Sequence, residues 1–399
     1  MRFKLKGLVA GLALAATLAT GGITADAAES EIVIGAPLSL TGPLAGDGQE
    51  QKWAYERAVE DVNAAGGLNV GGKKLKVRLV TADDQSSEGK VATALENLIK
   101  VQKVDALLST HSGPLNVAGA IVAEKHKKFY MMTTAFPFEW LPLKAKYSAL
   151  FFFHPGPGAE VPFQIWETLP KDARPKHPAI VSEDSPDGKG FGGALAGAAK
   201  KYGYTVSVDD PWTIGGTDYS ALITKLKAAN ADAMLVFGSP SDTITLVRQM
   251  KELGFSVPYF HGWKGTWTGE FQKALGPDAN HILTDGFWSS TYPYSGSKAL
   301  GDRFEAAYGH DSVTIGAFYA NAQVLFRAIE KAGSTDADKI HNAIFDQEFK
   351  DTVVGDLKFD KTGFALIPSV ATQWWNGRHE LIFPNGKWVY KPAPPWNKR

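Results

Sequence analysis

Alternation of short apolar runs with amphipathic stretches is the feature that most limits how this 399-residue chain can fold. The first unit, from Glu31 to Gly67, shows it plainly. Ile32, Val33 and Ile34 form a β-branched run of the kind buried on both faces of a sheet. A loop rich in Gly and Pro follows, with Ser39, Thr41, Asp47 and Gln49 as its polar groups. Trp53, Ala54, Ala58, Val59 and Val62 then recur at three- and four-residue steps, the mark of an amphipathic helix. Asn63 and Gly66-Gly67 should end that helix.

The unit repeats. The pattern predicts strands over residues 74–81, 104–109 and 129–134, and helices from Ser86 to about Val101 and from Pro114 to Lys125. Ser86-Ser87-Glu88 supplies caps and an acidic first turn for the earlier of these helices. The stretch 137–147 breaks the rhythm, and Phe151 to Gly158 reads as a connector. A second series follows, with strands over 179–183, 205–208, 233–237 and 258–261, and helices over 191–202, 219–228 and 242–253. From Gly286 the chain should return to the first series, with helices over 313–332 and 338–346, and cross back between 363 and 373. Strand–helix alternation at this spacing implies an α/β fold with parallel sheets and helices on both faces. Three crossings imply two Rossmann-like lobes joined by a three-strand hinge. Residues 28–153 plus 287–364 would form lobe I, and residues 154–286 plus 365–399 lobe II with a C-terminal extension. That extension, with Trp374-Trp375, a Pro384-Asn385-Gly386-Lys387 turn and Pro392-Ala393-Pro394-Pro395, reads as an extra hairpin and a loose end.

The N-terminus reads as a cleavable signal peptide over residues 1–27. Arg2, Lys4 and Lys6 precede an apolar run from Leu8 to Ala19 and a small-x-small site at Ala25-Asp26-Ala27. The run is too short to span a membrane, so export, with a mature chain starting near Ala28, is expected. The sequence has no cysteine, hence no thiol for lipid attachment behind the signal peptide. A free periplasmic protein is the expectation. A formal net charge of zero leaves no electrostatic footprint for nucleic acid.

One pattern suggests an enzyme. Gly188-Lys189-Gly190-Phe191-Gly192-Gly193 satisfies G-x-G-x-x-G, with Asp209 about where a ribose-binding acid would stand. In a dinucleotide site the first glycine follows the strand directly, whereas Ser182 to Asp187 intervene here. A helix entry lining a cleft is the better reading, and an exported nucleotide-dependent enzyme the alternative. No Gly-x-Ser-x-Gly elbow and no paired-histidine metal spacing occurs, and the nine histidines are scattered. No catalytic residue, metal or cofactor is expected.

In open parallel sheets, ligands bind beyond the carboxyl ends of the strands. The loops there are Ser39–Gln49, Ser109–Leu115, Thr133–Phe138, Ser182–Lys189, Gly238–Asp242 and Gly262–Thr266. Each is polar or glycine-rich and opens a helix, so free N–H groups would point at the crevice and suit a carboxylate.

The order IGAPLSLTGPLAGDG, a helix ending VNAAGGL, then KLKVRLVTADD resembles the start of the type I solute-binding proteins of ABC importers, typified by the leucine/isoleucine/valine-binding protein. The resemblance runs from about Glu31 to about Gly363. It implies the type I periplasmic binding protein fold and a site shared by the two lobes. The family's loop after the third strand carries a hydroxyl residue that holds the ligand carboxylate; Ser112 and Gly113 stand there, beside His111. The family's Thr-Pro-Ala-Ala-Thr loop is matched by Thr133-Thr134-Ala135-Phe136-Pro137, which keeps a backbone contact at Ala135 and replaces a hydroxyl with Pro137. A Tyr-Gly pair that covers the ligand is matched by Asp187-Gly188, and a further aromatic contact by Ser239. The largest departure is His261-Gly262-Trp263-Lys264-Gly265. Lys264 takes the place of the acid that pairs with a ligand ammonium, so it would repel an amino acid and attract an anion unless it pairs with Asp187. With Trp263, Trp267, Phe136 and Trp140 close in sequence, the expected ligand is a small organic carboxylate, aromatic acids included. A branched-chain amino acid or amide is the second choice. The implied partners are that solute and an inner-membrane ABC permease, the implied state is a monomer, and a sensory module is the remaining alternative.

Overall fold

The fold rests on two sheets built to one plan. The structure is a computed structural model that describes Met1 and residues 31–399; the signal peptide and cleavage site read from the sequence lie outside the described residues. In the first sheet the strands run in the order Phe364–Leu366, Ser148–Phe152, Tyr130–Met132, Ala106–Leu108, Ile32–Leu38, Val77–Asp83, and every neighbouring pair is parallel. In the second the order is Arg378–Phe383, Val370–Trp375, Leu283–Gly286, Tyr259–Gly262, Ala233–Phe237, Pro178–Glu183, Val208–Trp212. Its first five strands in chain order are parallel, and the last two add antiparallel pairs at one edge. In both sheets the second strand of the series lies outside the first and the third on its other side. Strand order therefore reverses beside the first strand of each sheet, and ligands bind at such switch points.

The sequence explains the strands. Ile32–Leu38 is buried at all seven positions, as a central parallel strand covered on both faces must be. Ala233–Phe237 is likewise buried throughout. The helices pack by their apolar stripes. Ile315–Ala332 buries Phe318, Ala322, Leu325, Phe326 and Ile329 in the core that also holds the first sheet. Among the described residues no helix is long and apolar enough to cross a membrane.

The chain leaves the first sheet after Phe152, returns after Gly286, and leaves again after Leu366. Those are the three crossings expected. Residues 31–399, with both sheets, form one compact unit.

Several elements differ from expectation. The strand expected over 74–81 divides: Lys73–Leu75 pairs with Leu68–Val70 in a separate hairpin, and Val77–Asp83 joins the first sheet. The strand expected over 205–208 is Val208–Trp212, an edge strand, where Pro211 lacks only a hydrogen bond that an edge does not need. The tail is not loose. Its paired strands turn at Asn376-Gly377, both at positive φ, the pairing a tight hairpin turn requires, and the chain turns again at Pro384–Lys387, where Trp388 N–H donates to Leu381 O at 3.2 Å. Beyond it, Tyr390 OH donates to Pro258 O, Ala393 N–H donates to the same carbonyl at 2.9 Å, and Trp396 Nε1–H donates to Phe255 O at 2.6 Å.

Candidate functional site

The loops at the two switch points meet across a cleft. From the first sheet, the chain leaves Ala106–Leu108 through Ser109, Thr110 and His111, then enters the helix Gly113–His126 at Ser112. Ser112 has φ +77°, a region that disfavours any side chain, and so does Thr134 at φ +56° on the neighbouring loop. Non-glycine residues held there cost roughly 1–3 kcal/mol each and cluster at ligand sites. Gly113 has a steric reason to be glycine, since a Cβ there would lie 2.0 Å from the Glu139 carboxyl. Glu139 belongs to the short helix Pro137–Trp140 and accepts the Phe136 N–H at 2.9 Å. Burial, then the nearby Asp187 carboxylate, push its carboxyl up to about 8.

From the second sheet come Glu183, at the end of Pro178–Glu183, and Asp187, in the first turn of the helix Pro186–Lys201. Lys264 enters from the single 3-10 turn Lys264–Thr266. Its ammonium pairs with Glu183 and lies 3.2 Å from Asp187, with all three side chains buried. Burial alone would pull this ammonium down, but Asp187 and Glu183 outweigh it and hold the lysine above its usual range. Ser185 and Ser239 each donate to Glu183 at 2.8 Å. One cation therefore serves two carboxylates. Lys264 lines the chamber, but its charge is already answered by Asp187, the pairing the sequence left open, and by Glu183, which the sequence places only inside the loop Ser182–Lys189.

Where the two sides meet they are shut almost completely, leaving a cavity of only about 10 Å³ lined by His111, Ser112, Gly113, Thr134, Ala135, Phe136 and Phe152 from one side and by Asp187, Phe237, Lys264 and Trp267 from the other, so a solute enters only when the two sides part. Ser112, Asp187 and Lys264 also face a wider outer depression reached past Leu44, Ser87, Leu115 and Ile214. Those three side chains thus separate a mouth from an inner chamber. Contacts close the two sides on each other. Ser112 Oγ lies 3.4 Å from Asp187 Oδ2, and Phe136 stacks on Phe191 with ring centroids 5.6 Å apart. Glu50 accepts the Gly269 N–H at 3.0 Å.

Of the residues singled out from sequence, His111, Ser112, Gly113, Ala135, Phe136, Asp187 and Lys264 line the chamber. Four do not. Asp47 lies behind His111, with its carboxyl 3.7 Å from the imidazole Nε2. Pro137 begins the helix that carries Glu139, and Ser239 sits at the mouth on Glu183. Trp263 is core: its indole donates to Asp285 at 2.8 Å and stacks on His261, so its ring turns away from the cleft. Trp140 is core as well, donating to Ser148 at 2.8 Å. The reading missed Thr134, Phe152 and Phe237 as wall residues. Phe152 lay within the run read as a connector, and Phe237 at the end of a correctly placed strand. Trp267 was noted only as a neighbour.

The glycine pattern at Gly188–Gly193 lies inside the helix Pro186–Lys201, not at a strand-to-helix turn. Its glycines serve packing. A Cβ on Gly188 would lie 2.2 Å from Glu183 O, and one on Gly190 would lie 2.2 Å from the Phe138 ring across the cleft. A separate depression lined by Ser289, Asp311, Arg378 and Trp388 among others shares no residue with the chamber.

Comparison with known proteins agrees with this fold. A family model described as periplasmic binding protein matches residues 31–378. "Leu/Ile/Val-binding protein homolog 3" of Brucella melitensis is 28% identical over 372 residues, covering 92% of this chain and 97% of that protein. "Leu/Ile/Val-binding protein BraC3" of Rhizobium johnstonii is also 28% identical, over 91% of this chain and 96% of its own length. Among solved structures, the branched-chain amino acid transporter substrate-binding protein LivJ of Streptococcus pneumoniae, in complex with isoleucine, superposes with a TM-score of 0.76 at 22% identity, covering 89% of this chain and 100% of that one. A solute-binding protein of an ABC transporter from R. palustris, in complex with benzoate, gives a TM-score of 0.74 at 17% identity, covering 92% and 98%.

Proposed function

This chain belongs to the periplasmic binding protein family, and from that premise we propose that it is the solute-capturing component of an ABC importer. In this reading it is exported by its signal peptide, works as a periplasmic monomer and delivers its load to an inner-membrane permease. It carries out no catalytic step. Residues 28–153 plus 287–364 act as one lobe, and 154–286 plus 365–399 as the other. A solute settles on one lobe, and the other closes over it by bending at the three crossings. Contacts made only in the closed state, such as Ser112 with Asp187, supply the differential binding that favours closure.

The observation that carries the ligand class is the chamber itself. Phe136, Phe152, Phe237 and Trp267 give it aromatic walls, and it opens on the N-terminus of the helix Gly113–His126. Unpaired N–H groups at a helix start suit a carboxylate, and the walls suit an aromatic or branched body. A small organic carboxylate is the ligand proposed, and the R. palustris relative in the fold holds benzoate. Lys264 no longer argues for this alone, because Glu183 and Asp187 share its charge.

That same imbalance favours a second reading. Glu183 and Asp187 share one cation, and the surplus carboxylate suits the ammonium of a branched-chain amino acid. The fold neighbour from S. pneumoniae holds isoleucine.

A thermal-shift panel on the mature protein separates the two. A ligand that binds only the native state adds roughly 2.7 kcal/mol of stability at a hundredfold excess over its Kd. Benzoate and related acids should raise the melting temperature while leucine, isoleucine and valine leave it unchanged. If the three amino acids raise it and the acids do not, the ligand is an amino acid. If nicotinamide nucleotides raise it instead, the capture reading is replaced by the enzyme alternative.

A further inference from the structure

Beside the chamber, polar atoms with no hydrogen-bond partner gather in a way the rest of the site does not repeat. Both carboxyl oxygens of Asp47, both ring nitrogens of His111, the Trp267 indole N–H and the Thr268 hydroxyl are buried and unpartnered. Asp47 and His111 are 0% exposed, Thr268 1% and Trp267 3%. The four come from both sides of the cleft and stand together. His111 Nε2 is 3.7 Å from Asp47 Oδ1, too far for a hydrogen bond. The His111 and Trp267 rings meet edge to face at 5.9 Å, and a Cβ on Gly46 would lie 3.1 Å from Thr268 Oγ1.

Asp47 lies in the first turn of the helix Ala45–Ala64 and not in a loop, and three residues further along it Glu50 shows what a satisfied buried carboxyl looks like. It accepts from Ser312, Thr314 and Gly269, at 2.8, 2.8 and 3.0 Å. Asp47 has no such donor. Buried polar groups are nearly always paired, so a cluster of exceptions calls for a reason. His111 and Trp267 line the inner chamber and not the mouth, whereas Ser112, Asp187 and Lys264 face both. The chamber therefore has two polar poles, one toward the mouth and one inward, with Phe136, Phe152 and Phe237 as apolar wall.

We infer that the solute carries a second hydrogen-bonding group besides its head, seated against His111 and Trp267 at the inner end of the chamber with Asp47 and Thr268 behind them, and that this group is a hydroxyl, which makes the ligand class a hydroxylated aromatic acid. A hydroxyl both donates and accepts, which the inner pole requires: the Trp267 indole can only donate, while a neutral imidazole at His111 offers an acceptor. Burial keeps the imidazole neutral, holding His111 down to about 3, so no second full charge is called for. Asp47, behind His111 and 3.7 Å from its Nε2, is a positioning residue that backs the imidazole. This inference rests on the capture reading and extends it to the ligand's far end.

Calorimetric titration of the mature protein with matched pairs tests it: benzoate against 3- and 4-hydroxybenzoate, and phenylalanine against tyrosine. The hydroxylated member of whichever class binds should be tighter by roughly tenfold or more, since an unmade buried hydrogen bond is what the other member leaves behind. His111→Phe should bring the affinity ratio within a pair close to one, whatever it does to the affinity of either member. Equal affinity within a pair, or an advantage that survives His111→Phe, overturns the inner pole and leaves the capture reading standing. Binding by the amino-acid pair alone removes the acid head, and tyrosine against phenylalanine then decides the inner pole. If none of these probes binds, the melting temperatures of His111→Phe and Asp47→Leu decide. An unchanged or higher value supports groups kept for a ligand, and a fall of several degrees shows a structural role and overturns the inference.

Discussion

The Lys264–Glu183–Asp187 cluster shows how a single residue can be read correctly and weighed wrongly. A lysine in place of an acid did mark the cleft, but the sequence could not say that Glu183, some eighty positions away, would turn its carboxylate onto it. Charge in a buried site is a property of the cluster. Lys264→Met should accordingly destabilise the fold strongly, by about 3–5 kcal/mol, because it strands two buried carboxylates. Adding Glu183→Gln and Asp187→Asn should recover much of that loss. Urea unfolding of the single and triple variants checks both, and a single variant as stable as the parent would mean the cluster is solvated. Glu139 makes a second prediction at this scale. Its carboxyl titrates near 8 in the folded protein, against an ordinary value of 4.5. Between those values the native state holds a proton that the unfolded chain has released, so stability falls as pH rises through the window from about 4.5 to about 8, by an amount on the order of a few kcal/mol. Melting temperatures taken from pH 5 to pH 8 should decline, and Glu139→Gln should flatten the decline. An identical slope in the variant would place the titrating group elsewhere.

Elements were more legible than residues. Period-2 and period-3.6 patterns located both βα series and all three crossings, because burial on two faces or on one stripe is written directly into local composition. Pairing across distance was less readable. Nothing local to Asn376-Gly377 or to Pro384–Lys387 says which of the two turns joins paired strands, although Pro211 does mark Val208–Trp212 as an edge strand. The glycines at Gly188–Gly193 misled for a related reason: a spacing that fits a phosphate loop also fits a helix pressed against a partner. Gly190 faces the Phe138 ring on the opposite side of the cleft. Phe138 is 43% exposed and can swing away, so Gly190→Val should leave the melting temperature of the ligand-free protein within a few degrees. The two helices would then be held apart, and affinity for any solute that needs closure should fall, by roughly tenfold or more. Unchanged affinity would show that the two helices need not meet for binding.

For the molecule as a whole, the two sheets repeat one strand order, and their switch points face each other across the chamber. That arrangement explains why seven of the residues singled out from sequence come together although they lie on four separate stretches of chain. It also explains the misses. Phe152 and Phe237 reach the chamber only because the sheets are apposed, and no local pattern records apposition. The central claim is that two lobes close on a small solute, and the sequence offers a clean way to measure it, since it has no cysteine. Gly89→Cys and Ile214→Cys, at exposed positions on either side of the mouth, would carry the only two spin labels in the protein. Electron–electron distances between them, with and without the solute that most raises the melting temperature, read closure directly. A broad, longer distribution that shortens and narrows on binding is the expected result. One distribution that is the same in both states would contradict capture by closure.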